Sequence, residues 1–417
     1  MKTPLPFALF CQTATLLLST VLVGTGKDWK QWRGEQRQGH SPDTGLLKEW
    51  PESGPKRAWL FDNCGKGYSG PSIANGKIFI MGTREDMTQL ICLSESEGKE
   101  LWATDVAAVY GNRWGDGPRC TPTVEGDFVY ALAGKGDLIC AKTSDGSIVW
   151  TKNLAKDFGG EVQSWGYTES VLIDGPRLIC TPGGGKGAML ALNKANGDII
   201  WASAGLTDNA QYSSPIAFEF DGKRQYAQLF MKTLAGVDAE TGKLLWKTSF
   251  PGRTAVIPTP IYSNGRVYVT AGYGAGCKQI KLGKEDPEVV YENGTMANHH
   301  GGVILVDGHL YGHSDQKDGG WTCQNFETGE LVWNNEGVGK GAIAYADGML
   351  YCLGEKSGTI ALIEASTEGW KEHGRFQLDP QTKIRSKQGG IWTHPVIANG
   401  RLYLRDQDLF FCFDVKK

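Results

Sequence analysis

Residues 75–102 read NGKIFIMGTREDMTQLICLSESEGKELW. Asn75-Gly76 tolerates the positive φ of a two-residue hairpin turn, and the apolar run Lys77-Ile78-Phe79-Ile80 follows it, so the stretch opens as a β-hairpin. A third strand lies over Gln89–Leu93. A turn at Gly98 then leads into a strand that ends in Trp102. The stretch therefore encodes four short strands and no helix.

The same unit recurs along the chain, and internal repetition of this kind decides a fold before any local reading does. An acidic or amide residue precedes Gly at Asn75-Gly76, Glu125-Gly126, Asp174-Gly175, Asp221-Gly222, Asn264-Gly265, Asp307-Gly308, Asp347-Gly348 and Asn399-Gly400, with Gly-to-Gly spacings between 40 and 52 residues. The closing strand ends in Trp at Trp102, Trp150, Trp201, Trp246 and Trp333, with degenerate versions near Tyr291 and Phe376. The eighth unit stops at Asp414 without its Trp strand. That strand stands instead at the front of the chain, as Gly54 to Leu60 with Trp59, 43 residues before Trp102. An N-terminal strand that completes the last unit closes a ring and leaves no open sheet edge. The direct reading is an all-β fold, an eight-bladed β-propeller over residues 57–417 preceded by a lead segment at 27–56.

Composition narrows the function classes. The net charge is −3, without the basic excess of a nucleic-acid binder. Hydrophobic residues make up 40% and charged residues 21%, enough to build a large core. Residues 1–26 place Lys2 before an apolar stretch that ends in small residues at Gly24–Gly26, the pattern of a cleaved signal peptide. Leu16–Val23 is too short to span a bilayer, and Phe10 before Cys11 is too large for a lipidation site. The expectation is a periplasmic or secreted protein with no transmembrane span after cleavage. Removing Cys11 leaves nine cysteines with no Cys-x-x-Cys, several at equivalent strand positions, such as Cys92, Cys140, Cys323 and Cys412. They read as small buried hydrophobes.

Gly-x-x-x-Trp at the end of a four-stranded unit resembles the tryptophan-docking motif of quinoprotein-type (PQQ-like) propellers, the superfamily that also holds the BamB family of outer-membrane assembly factors. The resemblance covers residues 57–417 and implies that Trp59, Trp102, Trp150, Trp201, Trp246 and Trp333 stack between neighbouring blades. It also implies that ligands bind at the mouth formed where each Trp strand passes to the next blade. Those connections carry Arg113, Trp114, Asp116, Arg119, Trp165, Tyr167, Glu169, Gln211, Tyr212, Arg253, His299, His300, Lys340, Trp392 and His394. Trp114, Trp165, Tyr167 and Trp392 suit stacking on a sugar or anchoring a partner.

For the quinoprotein enzymes the resemblance implies pyrroloquinoline quinone and calcium, with Glu169 as calcium ligand, Trp392 as stacking floor and Arg253 or Lys340 paired to the cofactor. The chain departs from those enzymes in three ways. It has no adjacent Cys pair, no Asp in the mouth connections of blades five to eight, and no room for covering insertions. His299-His300 in a strand would point to opposite faces, and His309 and His313 lie too far apart along a strand to share an ion. Gly183-Gly184-Gly185-Lys186 lacks the spacing of a phosphate loop. The expectation is a non-enzymatic propeller scaffold with no catalytic set, no metal and no resident cofactor. Its partner would be an envelope protein, as in a BamB-like role, or a small ligand. The alternatives are a calcium- and quinone-dependent alcohol dehydrogenase and a glycan-binding propeller.

Overall fold

A computed structural model describes Met1 and residues 28–417; the expected signal segment lies outside the described residues. Eight antiparallel sheets follow one another. Blade one comprises Ser72–Ala74, Lys77–Arg84, Met87–Ser94 and Glu100–Ala108, and the pattern repeats to blade seven, Gly341–Ala346, Met349–Gly354, Thr359–Glu364 and Glu372–Gln377. Blade eight takes three strands from the C-terminus, Val396–Ala398, Arg401–Asp406 and Leu409–Asp414, and its outermost strand, Arg57–Phe61, from near the N-terminus. No described helix is long and apolar enough to cross a membrane.

The hairpin turns come in two forms. Asn75 and Gly76 both have positive φ, 53° and 71°, as the mirror-image two-residue turn demands. In blades two and three the paired residues are Glu125 with Phe128 and Asp174 with Arg177. There the turn slips by one residue and only its first position, Gly126 or Gly175, has positive φ. The acidic residue before that Gly closes the strand instead of entering the turn.

Neighbouring blades meet through an aromatic residue in each outer strand, which does not end there as expected: Glu100–Ala108 runs six residues past Trp102. The Trp201 indole donates to the Ala239 carbonyl at 3.0 Å, and a Cβ on Gly242 would stand 2.4 Å from its ring. Trp150 does the same with Lys194 and Gly197, and Trp59 with Glu95 and Gly98. Trp333 donates to Ser366 in the next blade. Trp102 lies over Gly146, with its indole nitrogen unpartnered. Tyr291 and Phe376 occupy the equivalent place over Gly329 and Gly54. Trp246 differs: its indole donates to Gln225 of its own blade at 2.8 Å. The next blade there turns through residues 282–287, and its Gly283 has no ring over it.

The lead segment fills the centre of the ring. Trp29 pairs with Ile73 of blade one, and Lys30 accepts from Val124 N of blade two. The Arg37 guanidinium donates to the Ser170 and Pro215 carbonyls at 2.9 Å each, and to the Val171 carbonyl, at the inner strands of blades three and four. Gln38 reaches Tyr262 of blade five and Arg33 reaches Val303 of blade six at 2.5 Å. His40–Ser41 lies parallel to the inner strand of blade seven. The inner strands of a propeller leave a row of carbonyls facing the axis, and long polar side chains on one passing segment satisfy them. Arg33 and Arg37 are almost fully buried, and burial lowers their pKa values to about 10 and about 9.

Candidate functional site

With the lead segment beneath it, the mouth on the opposite side becomes a blind cavity of about 300 Å³. Its floor is Trp32, whose indole donates to Thr259 Oγ1 at 2.9 Å and whose ring lies 4.6 Å from His394. One wall stacks Tyr68 against Trp392 with ring centres 4.8 Å apart, and continues through His300, 5.6 Å from Trp392. From Tyr68, whose hydroxyl donates to the Trp114 carbonyl at 2.8 Å, the lining continues the other way through Trp114, Trp165 and Tyr212, linked at 4.9 and 5.6 Å. Tyr273 closes the rim against His299 at 4.8 Å.

Two side-chain networks reach the cavity. Glu355 Oε2 accepts from His300 Nε2 at 2.6 Å and from the Trp392 indole at 3.0 Å. Burial pushes the Glu355 carboxyl up, but the His300 hydrogen bond and the positive charges of Lys340 and Lys356 outweigh it and hold it below the usual carboxylate range. The second network joins Lys340 Nζ to His299 Nδ1 at 2.6 Å and to Asp315. Burial, then the neighbouring His300 and Lys340, take the His299 pKa down to about 3. His299 is neutral, its Nδ1 accepts from the ammonium, and its Nε2 therefore carries the proton. Burial opposes ionisation of Asp315, yet hydrogen bonds from His313 and Lys340 pull its pKa down to about 2. His394 donates from Nε2 to the His300 carbonyl at 2.7 Å, leaving its buried Nδ1 unpartnered. Burial and the nearby Arg33 lower its pKa to about 3.

Of the residues expected at the mouth, Trp165, His299, His300, Lys340, Trp392 and His394 line this cavity together with Trp114, Arg119 and Tyr212. Five do not. Tyr167 is buried and donates to the Pro182 carbonyl at 3.0 Å. Glu169, expected as a calcium ligand, is buried, accepts from Thr181 N at 2.5 Å and leaves Oε2 unpartnered. Gln211 is buried and donates to Ala210. Arg113 and Arg253 are exposed, Arg113 lying 4.0 Å over the Trp114 ring. The first three share one cause. The chain is extended as it enters each inner strand, so alternate side chains face the cavity. Thr168, Ser170, Tyr212 and Ser214 face it; Tyr167, Glu169 and Gln211 take the other parity.

The expectation that His299 and His300 diverge also fails. They sit in a tight loop, not a strand. Asn298 bonds Gly302 from both its amide nitrogen and its oxygen, at 3.1 and 3.0 Å, and Gly302 turns with φ 78°. Both imidazoles thereby line the cavity, 4.9 Å apart.

Asp315, Glu355, Lys356 and Tyr273 were absent from the sequence reading because it followed only the connections between blades. The hairpins joining the second and third strands of each blade open on the same face, and these four residues lie there. Tyr68 and Trp32 were likewise unassigned. The donor set is not one calcium takes. Six to eight oxygens are needed, and among the described residues no three His, Cys, Asp or Glu converge. Glu355 is tied to His300 and Trp392, and Asp315 to His313 and Lys340. All nine described cysteines are free and buried.

A protein-family model described as "Outer membrane protein assembly factor BamB" matches residues 86–335, over half of the chain. The solved structure of BamB from Moraxella catarrhalis is similar with a TM-score of 0.56 and 14% identity, covering 81% of this chain and 94% of that one. The quinohemoprotein alcohol dehydrogenase from Comamonas testosteroni is similar with a TM-score of 0.64 and 12% identity, covering 93% of this chain and 80% of that one. At these identities the likeness is one of fold. The tetrathionate hydrolase of Acidithiobacillus ferrooxidans is 24% identical over 248 residues, 56% of this chain and 47% of the relative. The chain thus spans about half the length of the curated relative it matches.

Proposed function

Since the chain belongs to the family described as outer membrane protein assembly factor BamB, we propose that it is an exported, non-enzymatic propeller scaffold of the cell envelope that holds a small ligand in the mouth of its ring. One observation carries this reading: the mouth is an open, aromatic-lined pocket of about 300 Å³ whose floor is supplied by the chain's own lead segment. Ligand pockets have this character, mostly apolar walls with a few placed polar groups, at volumes of about 300–1,000 Å³. A surface that served only a protein partner would gain nothing from a blind hole beneath it.

The reading without a resident cofactor rests on the committed state of the carboxylates. Glu355 and Asp315 already neutralise or orient protein groups, and Glu169 is turned inward beside Arg37. The test is tryptophan fluorescence and calorimetry of the purified protein against a small-molecule library that includes pyrroloquinoline quinone with and without calcium. Saturable binding of a library compound without added metal is expected. Saturable, calcium-dependent quinone binding would replace this reading with the quinoprotein one.

Family membership favours a second reading as well, a protein partner in outer-membrane β-barrel assembly. A strain lacking the protein would then carry less outer-membrane β-barrel protein. Unchanged levels would remove this reading and leave the ligand cavity.

A further inference from the structure

The charged groups at the cavity all have hydrogen-bond partners inside the protein, though only Lys340 among the cations is paired with an acid. Lys340 lies between Asp315 and His299. Arg119 gives its two terminal nitrogens to the Gly117 and Gly115 carbonyls, at 3.2 and 3.0 Å, and lies over the Tyr68 ring. Lys356 donates to the Gly389 carbonyl at 3.0 Å. Glu355 Oε2 holds His300 and Trp392.

The groups left over are of mixed kind. His299 Nε2–H donates, Glu355 Oε1 accepts and the exposed Tyr273 hydroxyl does either; none of the three has a protein partner among the described residues. An anionic ligand has one exposed cation within reach, Lys356, whose only protein partner is the neutral Gly389 carbonyl, and benzoate below tests for that contact. A cationic one would find a single carboxylate already tied to an imidazole. A wholly apolar ligand would strip water from Glu355 without replacing its hydrogen bond, which is costly for a charged group.

A hydroxyl both donates and accepts, and so matches this edge. The aromatic lining, Tyr68 tilted by 30° against Trp392 and Trp165 edge-on to Tyr212, matches a ring that is apolar on its faces and polar at its rim. Resting on the ligand-cavity reading above, we propose that the mouth binds a neutral saccharide, with one pyranose ring held against the aromatic lining and its hydroxyls on Glu355, His299 and Tyr273. The volume limits the enclosed part to a short segment of any longer glycan.

The test titrates the full chain with cellobiose, maltose and N,N′-diacetylchitobiose, with benzoate and choline as the charged comparators. Tryptophan emission and heat are read at low salt and at about 0.5 M salt, which screens ionic attraction. The expected result is saturable binding of at least one disaccharide, unchanged by salt. Glu355→Gln should weaken it roughly tenfold, the worth of about 1.4 kcal/mol. Tyr273→Phe, which removes only an exposed hydroxyl, should weaken it several-fold and keeps the test readable if Glu355→Gln does not fold. Salt-sensitive binding of benzoate or choline with none of the sugars would overturn the saccharide assignment and leave the ligand cavity standing. Unaltered sugar affinity in both variants would also overturn the assignment. No response to any probe would sink both.

Discussion

Replacing Trp201 by Ala removes a ring that is 7% exposed, lies over Gly242 of the next blade and donates to the Ala239 carbonyl. Truncating a buried aromatic costs about 3–5 kcal/mol. The carbonyl that loses its partner adds about 1 kcal/mol. Taken together the loss is about 5 kcal/mol. The melting entropy is ~2.1 cal/mol/K per residue, so a chain of 417 residues melts with ~0.9 kcal/mol/K and the Tm should fall by about 6 °C. Scanning calorimetry reads this directly. Gly242→Ala attacks the same contact from the other side, since its φ is 69° and the new Cβ would stand 2.4 Å from the ring. Because the two residues touch, the double variant should lose less than the sum of the singles. A Tm drop below about 1 °C for Trp201→Ala, or strict additivity in the double variant, would refute the idea that the ring joins blade three to blade four.

Arg37→Met would leave the Ser170 and Pro215 carbonyls without their donor, while Val171 keeps the Thr123 hydroxyl. At roughly 1–3 kcal/mol each, urea unfolding should show a loss of at least about 2 kcal/mol; a loss under about 1 kcal/mol would mean that the lead segment does not brace the ring. Glu169 bears on pH. Burial raises its pKa to about 7 from the ordinary 4.5, against hydrogen bonds from Thr181 and the Arg37 charge. Between those values the folded state binds more protons than the unfolded one, so this group's contribution falls as pH rises through that window. Glu169→Gln should therefore stabilise the protein at pH 8 by up to ~3 kcal/mol and have no such effect near pH 4.5; an equal effect at both would refute the assignment. Finally, the nine described thiols are buried, and burial raises the pKa values of Cys64 to about 11 and Cys120 to about 12. Ellman's reagent should therefore titrate none of them in the native protein and all nine in guanidinium. Prompt native labelling of any of them would contradict their core placement.

The site was legible only in part, and the division follows chain geometry. Trp165, Trp392 and His394 were found because aromatic and polar residues concentrate where one blade hands over to the next. Tyr167, Glu169 and Gln211 were misplaced because a connection read as a loop is in fact extended, and one step along it reverses the side chain's direction. Glu355 and Asp315 escaped notice since a hairpin tip within a blade gives no sign in the sequence of which mouth it overhangs. His299 and His300 were assigned strand geometry, whereas the Asn298–Gly302 clamp turns both inward.

The amino-acid sequence by itself determined the ring: the number of blades, the four strands in each and the all-β class. Those features are local. A turn dipeptide needs its positive φ, and an apolar run of strand length needs a neighbour within reach along the chain, so both repeat visibly at spacings between 40 and 52 residues. Tertiary structure alone decided that Trp32, Arg33 and Arg37 occupy the axis and make a through-channel into a pocket. Arg37 meets carbonyls at residues 170, 171 and 215, more than a hundred positions away. No periodicity records such a contact, because it depends on the closed ring bringing its inner strands around one segment that has no counterpart in the repeat.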